Sequence, residues 1–223
     1  MKLWLIVLAT GLFAPAFSST AGVVVGGTRL IYDSEKKETT LNVSNPDKVP
    51  YLIQSWVDTQ DGGAAKAPFI ITPPLFRLDS NKDNVLRVVR AGGNLPEDKE
   101  SLFWLNVKSI PSSEKIDNTL QIAVKTRIKL IYRPQSIKET VEQSAKSIKW
   151  QRSSNTLKAI NDSAHYITFF SVSMGGKDIP NVTMVAPGST LNINLPAGMT
   201  GSSVSWKIIN DYGGTSEAYQ ASL

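Results

Sequence analysis

Cysteine is absent from the 223 residues and histidine occurs once, at His165. The first absence removes disulfides, thiolate nucleophiles, iron–sulfur clusters and Cys-ligated zinc, and the second leaves no imidazole cluster for a metal. A nucleophile–His–carboxylate set cannot be read from spacing around a single His, and no G-x-S-x-G turn surrounds a serine. His165 is therefore read as structural or surface, with no catalytic residue, metal site or cofactor assigned. Glycine (15) and proline (12) are too sparse for a low-complexity chain, and 41% hydrophobic with 19% charged residues is an ordinary globular composition. Amphipathic helical stripes of normal length and solenoid repeats are missing as well.

One long apolar run is present. Lys2 is followed by Leu3 to Phe17 and then by Ser19-Thr20-Ala21, the pattern of a secretory signal peptide, with cleavage expected after Ala21. The run falls short of the ~20 residues that a membrane-spanning helix needs, so an anchor is the weaker alternative. An exported chain without disulfides must be held together by core burial. Export also argues against nucleic acid and ATP as partners. Of 24 basic and 19 acidic residues, the signal segment removes only Lys2. Lys125, Arg127, Lys129 and Arg133 lie in a stretch from Leu120 that holds no acid. A nucleic-acid binder would spread its basic face more widely, so this cluster reads as a local anion site.

At roughly 150 residues per domain the length is about one and a half domains, so one large or two small domains fit. Runs with two-residue alternation or β-branched bias begin at 28, 39, 51, 85, 101 and 120, separated by Asn45-Pro46-Asp47, Asp61-Gly62-Gly63 and Gly92-Gly93-Asn94. They predict an antiparallel immunoglobulin-like sandwich. A polar stretch from Gln135 to Ser147 reads as a linker, with a helical turn at most. Beyond it a second set of short strands, from 148 to the C-terminus, predicts a smaller β-sandwich. The expectation is all-β: residues 1–21 signal peptide, 22–138 N-terminal immunoglobulin-like domain, 139–223 C-terminal sandwich. Trp56, Trp104, Trp150 and Trp206 fall inside these strands and are expected in the cores. Asn42, Asn161 and Asn181 begin N-x-S/T patterns to which no function is assigned.

The stretch from Leu120 to Arg133 is the most informative. Leu120, Ile122, Val124, Ile128, Leu130 and Tyr132 share one parity, and Gln121, Lys125, Arg127, Lys129 and Arg133 the other. That predicts a strand of about 14 residues, against a usual 5 to 6. Half of it is enough to cross its own sheet, leaving an apolar face without an internal partner. Basic residues on the other face suit a guarded edge strand, open to strand addition by another chain. A long, fully internal strand is the alternative that periodicity leaves open.

The stretches TRLIY (28–32), SNPDKVPYLIQSWVD (44–58), TPPLFRL (72–78), LPEDKESLFWLN (95–106), QIAVKTRIKLIYRP (121–134) and INDYGG (209–214) resemble, in order, the periplasmic pilus chaperones of the chaperone–usher pathway. The resemblance spans the chain after the signal segment. It implies two immunoglobulin-like domains in an L shape, no enzymatic activity and no cofactor. It also implies a role in binding pilus subunits one-to-one and passing them, without ATP, to an outer-membrane usher. Arg29 and Lys129 match the two basic residues that anchor the subunit's C-terminal carboxylate; Leu120, Ile122 and Val124 match the residues that fill the subunit's groove. Glu100, Arg133 and Asp211 match charged residues placed between the domains. The stretch from Ser109 to Thr119 is similar to the short-loop subclass, associated with rod-like pili. Self-association of the free protein through its exposed edge is a further expectation. The absence of Cys departs from relatives that carry a second-domain disulfide. A pilus subunit or adhesin is a rival reading, disfavoured by the full second domain and the basic strand, and an enzyme has no motif in its favour.

Overall fold

A computed structural model describes residues 22–62, 66–112 and 121–223. The expected cleavage site after Ala21, Leu120 and most of the 109–119 stretch lie outside the described residues. The first domain contains β1 (Val24–Val25), β2 (Arg29–Asp33), β3 (Glu38–Asn45), β4 (Tyr51–Thr59), β5 (Phe69–Thr72), β6 (Leu75–Leu78), β7 (Lys82–Arg90), β8 (Ser101–Pro111) and β9 (Val124–Arg133). They form two sheets, ordered β1-β3-β7-β5 and β2-β9-β8-β4-β6. Alternation makes the sandwich: Leu41 and Val43 of β3 point inward between exposed Thr40 and Asn42. They join Leu86 and Val88 of β7 and Ile53, Leu105 and Leu130 of the facing sheet in one core. Each such side chain contributes roughly 1.5–3 kcal/mol by leaving water.

The chain changes sheets immediately after β1. β1 pairs with β3 in one sheet and β2 pairs with β9 in the other. Gly26-Gly27 makes the crossing: Gly27 has φ +152°, and a Cβ on Gly26 would lie 3.1 Å from the Asn42 carbonyl oxygen. Because β2 arrives from the opposite sheet and not through a hairpin, it is free to run parallel to β9, and it does. The first domain is therefore not wholly antiparallel, as the turn spacing suggested.

β9 is also shorter than its alternation predicted. It begins at Val124, because β8 pairs with it only as far as Ser109 opposite Val124. Gln121, Ile122 and Ala123 precede it, exposed and outside the ladder. On its other side β2 covers only Lys129 to Arg133. The expected edge strand is thus an edge in its first half and an interior strand in its second.

The second domain contains α1 (Val141–Lys146), β10 (Lys149–Ser153), β11 (Thr156–Asn161), β12 (Ile167–Met174), β13 (Lys177–Asp178), β14 (Met184–Val185), β15 (Ser189–Asn194), β16 (Ser203–Ile208) and β17 (Tyr219–Ser222). Its sheets run β10-β11-β15 and β13-β12-β16-β17, with β14 on β12. The polar stretch expected as a linker is only partly one. Thr140 and Gln143 form a reciprocal capping box that starts α1. Val141 and Ala145 then enter the second core, and the Trp206 indole N–H donates to the Ala145 carbonyl at 3.0 Å. Trp150 and Trp206 pack in that core with ring centroids 5.3 Å apart.

Candidate functional site: a cation pair beside an open strand edge

The parallel register of β2 and β9 sets Arg29 beside Lys129, Ile31 beside Ile131 and Asp33 beside Arg133. Residues two apart share a face, so Lys125, Arg127, Lys129, Ile131 and Arg133 form one row turned away from the first core. The second domain covers the far end of that row, where Leu102, Ile131 and Tyr166 make a buried apolar contact.

Arg133 closes this end electrostatically. Its Nε donates to Glu100 Oε1 at 2.7 Å, and its two Nη groups donate to the Asp211 oxygens at 2.6 and 2.8 Å. Glu100, 3% exposed, also accepts from the Tyr166 amide at 2.7 Å. Burial by itself pushes the Glu100 carboxyl up, and Arg133 and that amide pull against it. Burial likewise opposes the Arg133 charge, yet the Asp211 hydrogen bonds and the Glu100 charge hold its pKa above the ordinary value. The forked guanidinium meets a carboxylate with two parallel bonds, a geometry that Lys cannot supply. One side chain of the first domain is thereby tied to a loop of the second.

Four residues back along β9 the situation reverses. Arg29 is 7% exposed and donates from Nη1 to the Ile209 carbonyl at 2.9 Å, while its buried Nε meets no partner among the described residues. Lys129 donates to Thr168 Oγ1 at 2.9 Å. Among the described residues neither makes an ion pair. Burial pushes the Arg29 pKa down, and burial plus the neighbouring Arg29 charge push Lys129 down to about 8. Two desolvated cations thus face a cleft of about 280 Å³ between the domains, with a buried donor left over. That is the electrostatic outline of an anion site. Gly213 closes one side so tightly that a Cβ there would sit 2.8 Å from Thr28 Oγ1.

Nearer the start of β9 the row opens. Arg127 lies over the Trp104 ring at 4.4 Å and Lys125 over the Trp56 ring at 5.0 Å. These two tryptophans are half-buried on the outer face, not in the core as expected, because their strand parity places them under the basic row. The cations serve as lids on aromatic rings as well as charges at an edge. On the other parity Ile122 and Val124 are 66% and 51% exposed, whereas Ile128 is 5% exposed and Leu130 fully buried. Apolar alternation therefore runs past the core into solvent.

His165 is fully buried. Its Nδ1 lies 3.0 Å from Ser144 Oγ and its Nε2 4.0 Å from Glu100 Oε1. Burial, then the Arg133 charge, push its pKa down to about 4. The Ser–His–Glu order has the look of a hydrolase set, but Ser144 is 1% and His165 0% exposed, and Glu100 is already engaged by Arg133. No substrate can approach that hydroxyl. Among the described residues no three His, Cys, Asp or Glu side chains are grouped to hold a metal. Thr168, Tyr166 and Phe170, which no motif singled out, and Ile209, noted only as the start of INDYGG, complete the site from the second domain.

Comparison with known proteins gives a consistent picture. Residues 22–138 match the model described as "Pili and flagellar-assembly chaperone, PapD N-terminal domain", and residues 143–220 match "Pili assembly chaperone PapD, C-terminal domain". The chain is 41% identical over 222 residues to chaperone protein FocC of Escherichia coli, covering 97% of each. Its structure is similar to the E. coli chaperone DraB, with TM-score 0.83 and 40% identity over 91% of this chain and 96% of that one. It is also similar to a chain in the structure of the Salmonella enterica SafA pilin in complex with the SafB chaperone. There the TM-score is 0.85 and identity 36%, over 92% of this chain and 98% of that one.

Proposed function

The chain belongs to the family of pilus-assembly chaperones, and from that premise we propose that it captures a fimbrial subunit one-to-one on the open edge of β9. The subunit's C-terminal carboxylate lies between Arg29 and Lys129. The observation that carries this reading is the pair of desolvated cations without an anion at the point where β2 ends its cover of β9. From there no strand among the described residues covers the outer edge of Val124 to Ile128; Ile122 and Val124 are exposed there, and with Leu120, next on their parity in the sequence, they are the side chains that would enter a groove in the subunit. A chain that ends at Lys129 and runs back along this edge is parallel to β9. Main-chain bonds supply affinity, alternate side chains supply fit, and the carboxylate sets the register. Glu100, Arg133 and Asp211 hold the two domains at the separation the cleft requires.

The chain acts in the periplasm after cleavage behind Ala21. It hands its cargo to an outer-membrane usher without ATP, cofactor or nucleic acid, and its free edge supports self-association when no subunit is present. The decisive experiment has two steps. The full chain is expressed in the periplasm, and the subunit that co-purifies in a one-to-one complex is identified. The last twelve residues of that subunit are then titrated as free acid and as amide. The acid should bind at least tenfold more tightly, since a hydrogen bond to a charged group is worth about 1.5–3 kcal/mol. Equal binding of acid and amide overturns the anchor.

A further inference from the structure

We infer that Phe170 is the specificity-determining contact of the second domain, reading an apolar side chain at one of the last two positions of the captured subunit. The inference rests on the carboxylate-anchor reading above and extends it to the residues next to the carboxylate.

In β12 Phe169 is 4% and Val172 1% exposed, and both lie in the second core. They are three residues apart, which strict strand alternation cannot accommodate on one face. The ladder resolves the conflict with a bulge: Phe169 stands opposite Ile208 and Ser171 opposite Lys207, so one extra residue is inserted in β12. Phe170 is turned outward and left 60% exposed. Alternation from Ile167 and Phe169 puts it on the face of Thr168, whose hydroxyl meets Lys129, and the bulge lets Val172 and Met174 turn inward beyond it. Single exposed apolar residues are common on protein surfaces; this one stands at a bulge and lines a cleft that also holds Arg29 and Lys129.

Phe170 lines the same cleft as Arg29, Lys129, Arg127, Trp104 and Ile209. The cleft joins a cationic floor to an aromatic and aliphatic wall. A small inorganic anion would satisfy the floor and leave the wall in water. A peptide C-terminus satisfies both, because its carboxylate and its last side chains are a few ångströms apart. In a strand lying along β9, successive side chains point to opposite faces, so one of the last two turns toward the second domain, where Phe170 stands. Burying that side chain against the ring gives the second domain a say in which subunits are held.

The test uses the last twelve residues of the co-purifying subunit, made with the native final two residues or with serine at both, each as acid and amide. These are titrated into the full chain and into Phe170→Ala, with Phe170→Leu as the conservative variant. Phe170→Ala should melt at or above the wild-type temperature, since the ring is exposed. It should bind the native acid roughly tenfold more weakly, Phe170→Leu should recover most of that loss, and the difference should disappear for the serine-ended peptide. The acid-to-amide ratio should be unchanged in Phe170→Ala, because Arg29 and Lys129 are intact. Undiminished binding of the native acid by Phe170→Ala overturns the inference, as does an equal loss for native and serine-ended peptides, or a native terminus without an apolar residue at either position. A wild type blind to acid against amide, yet sensitive to Phe170 and serine, removes the anchor and leaves the aromatic contact standing.

Discussion

Basic side chains stand at two points on one face of the paired strands β2 and β9, roughly 13 Å apart at 3.3 Å per residue, and they are finished in opposite ways. Arg133 is enclosed by two carboxylates and all its bonds stay within the molecule. Arg29 and Lys129 are desolvated side by side, and among the described residues no carboxylate is bonded to either and one buried N–H has no partner. One strand pair and one residue chemistry thus give a closed charge cluster that joins the domains and an open one without an internal carboxylate among the described residues. Burial of a cation is stabilising only when its partner is supplied. At Arg133 the fold supplies it; at Arg29 and Lys129 no carboxylate among the described residues does, and the proposed subunit carboxylate would.

Breaking the closed cluster should have the largest effect. Arg133→Ala leaves Glu100 buried and Asp211 facing it without their cation. Losing one partner of a buried pair typically costs about 3–5 kcal/mol, reduced here because Arg133 and Asp211 keep 20% and 27% side-chain exposure. A clear fall in melting temperature is expected, with a change in small-angle scattering as the domains lose their tie. An unaltered melt and scattering curve would show that the apolar contact of Leu102, Ile131 and Tyr166 is enough to hold the domains.

The open pair should respond in the opposite sense. Lys129→Met is expected to cost tenfold or more in subunit binding and to abolish acid-over-amide discrimination, while its melting temperature equals or exceeds that of the wild type. The pH dependence follows from a folded-state pKa of about 8 against about 10.4 for a free lysine. Between these values the unfolded chain holds a proton that the folded chain has released. Wild-type stability contributed by this group therefore rises with pH across that window, and below pH 8 the full cost of the buried cation is present. The advantage of Lys129→Met should be greatest at neutral pH and shrink toward pH 10. Subunit binding to the wild type should weaken as pH rises through 8, where the free site loses its charge. A variant less stable than wild type at pH 7 would contradict this account.

A smaller loss is expected at the exposed end of the strand. Ile122→Ser removes an apolar side chain that is two-thirds exposed in the free protein, so stability should not change. Subunit affinity should fall by several-fold to tenfold as the lost burial is felt only in the complex. Ile128→Ser makes the contrast, since that residue is 5% exposed and its loss should lower the melting temperature. Equal affinity for Ile122→Ser and wild type would remove the apolar parity from the binding face.

Much of this was legible in the order of the residues, and the parts that were not share a cause. Alternation located β3, β4, β7, β8 and β9, and the acid-free basic stretch pointed to an anion site, because both depend on neighbours in sequence. The two-residue strand β1, the parallel partner of β9 and its true start at Val124 depend on where β2 and β8 run out, which no local pattern encodes. The basic row shows the same limit: spacing put Lys125 and Arg127 on one face, but only the packing placed Trp104 and Trp56 beneath them. Thr168, Ile209 and Phe170 come to the cleft from the second domain; INDYGG marked the stretch that Ile209 begins, and nothing marked the other two except the misfit between Phe169 and Val172. The capping box at Thr140 and Gln143 was readable, but a helix of six residues is too short to show a stripe.

The smallest expected effect isolates burial as the variable behind the contrast between charge clusters. Lys149 donates to Asp162 at 2.7 Å, the same distance as Arg133 to Glu100, so bond length alone predicts equal importance. The side chains of Lys149 and Asp162 are 69% and 63% exposed, while that of Glu100 is 1% exposed. Water screens the exposed pair and solvates either partner when the other is removed, and ordering two long side chains offsets the remaining attraction. Lys149→Ala should therefore leave the melting temperature unchanged within error, at low salt and at high salt alike. It should leave subunit binding unchanged too, since the pair joins β10 to the turn after β11, away from the cleft. Measured beside Arg133→Ala in the same buffers, a comparable destabilisation by both substitutions would mean that the closed cluster acts through ordinary pair attraction; a large effect at Arg133 with none at Lys149 ties its importance to the buried carboxylate that would be left behind.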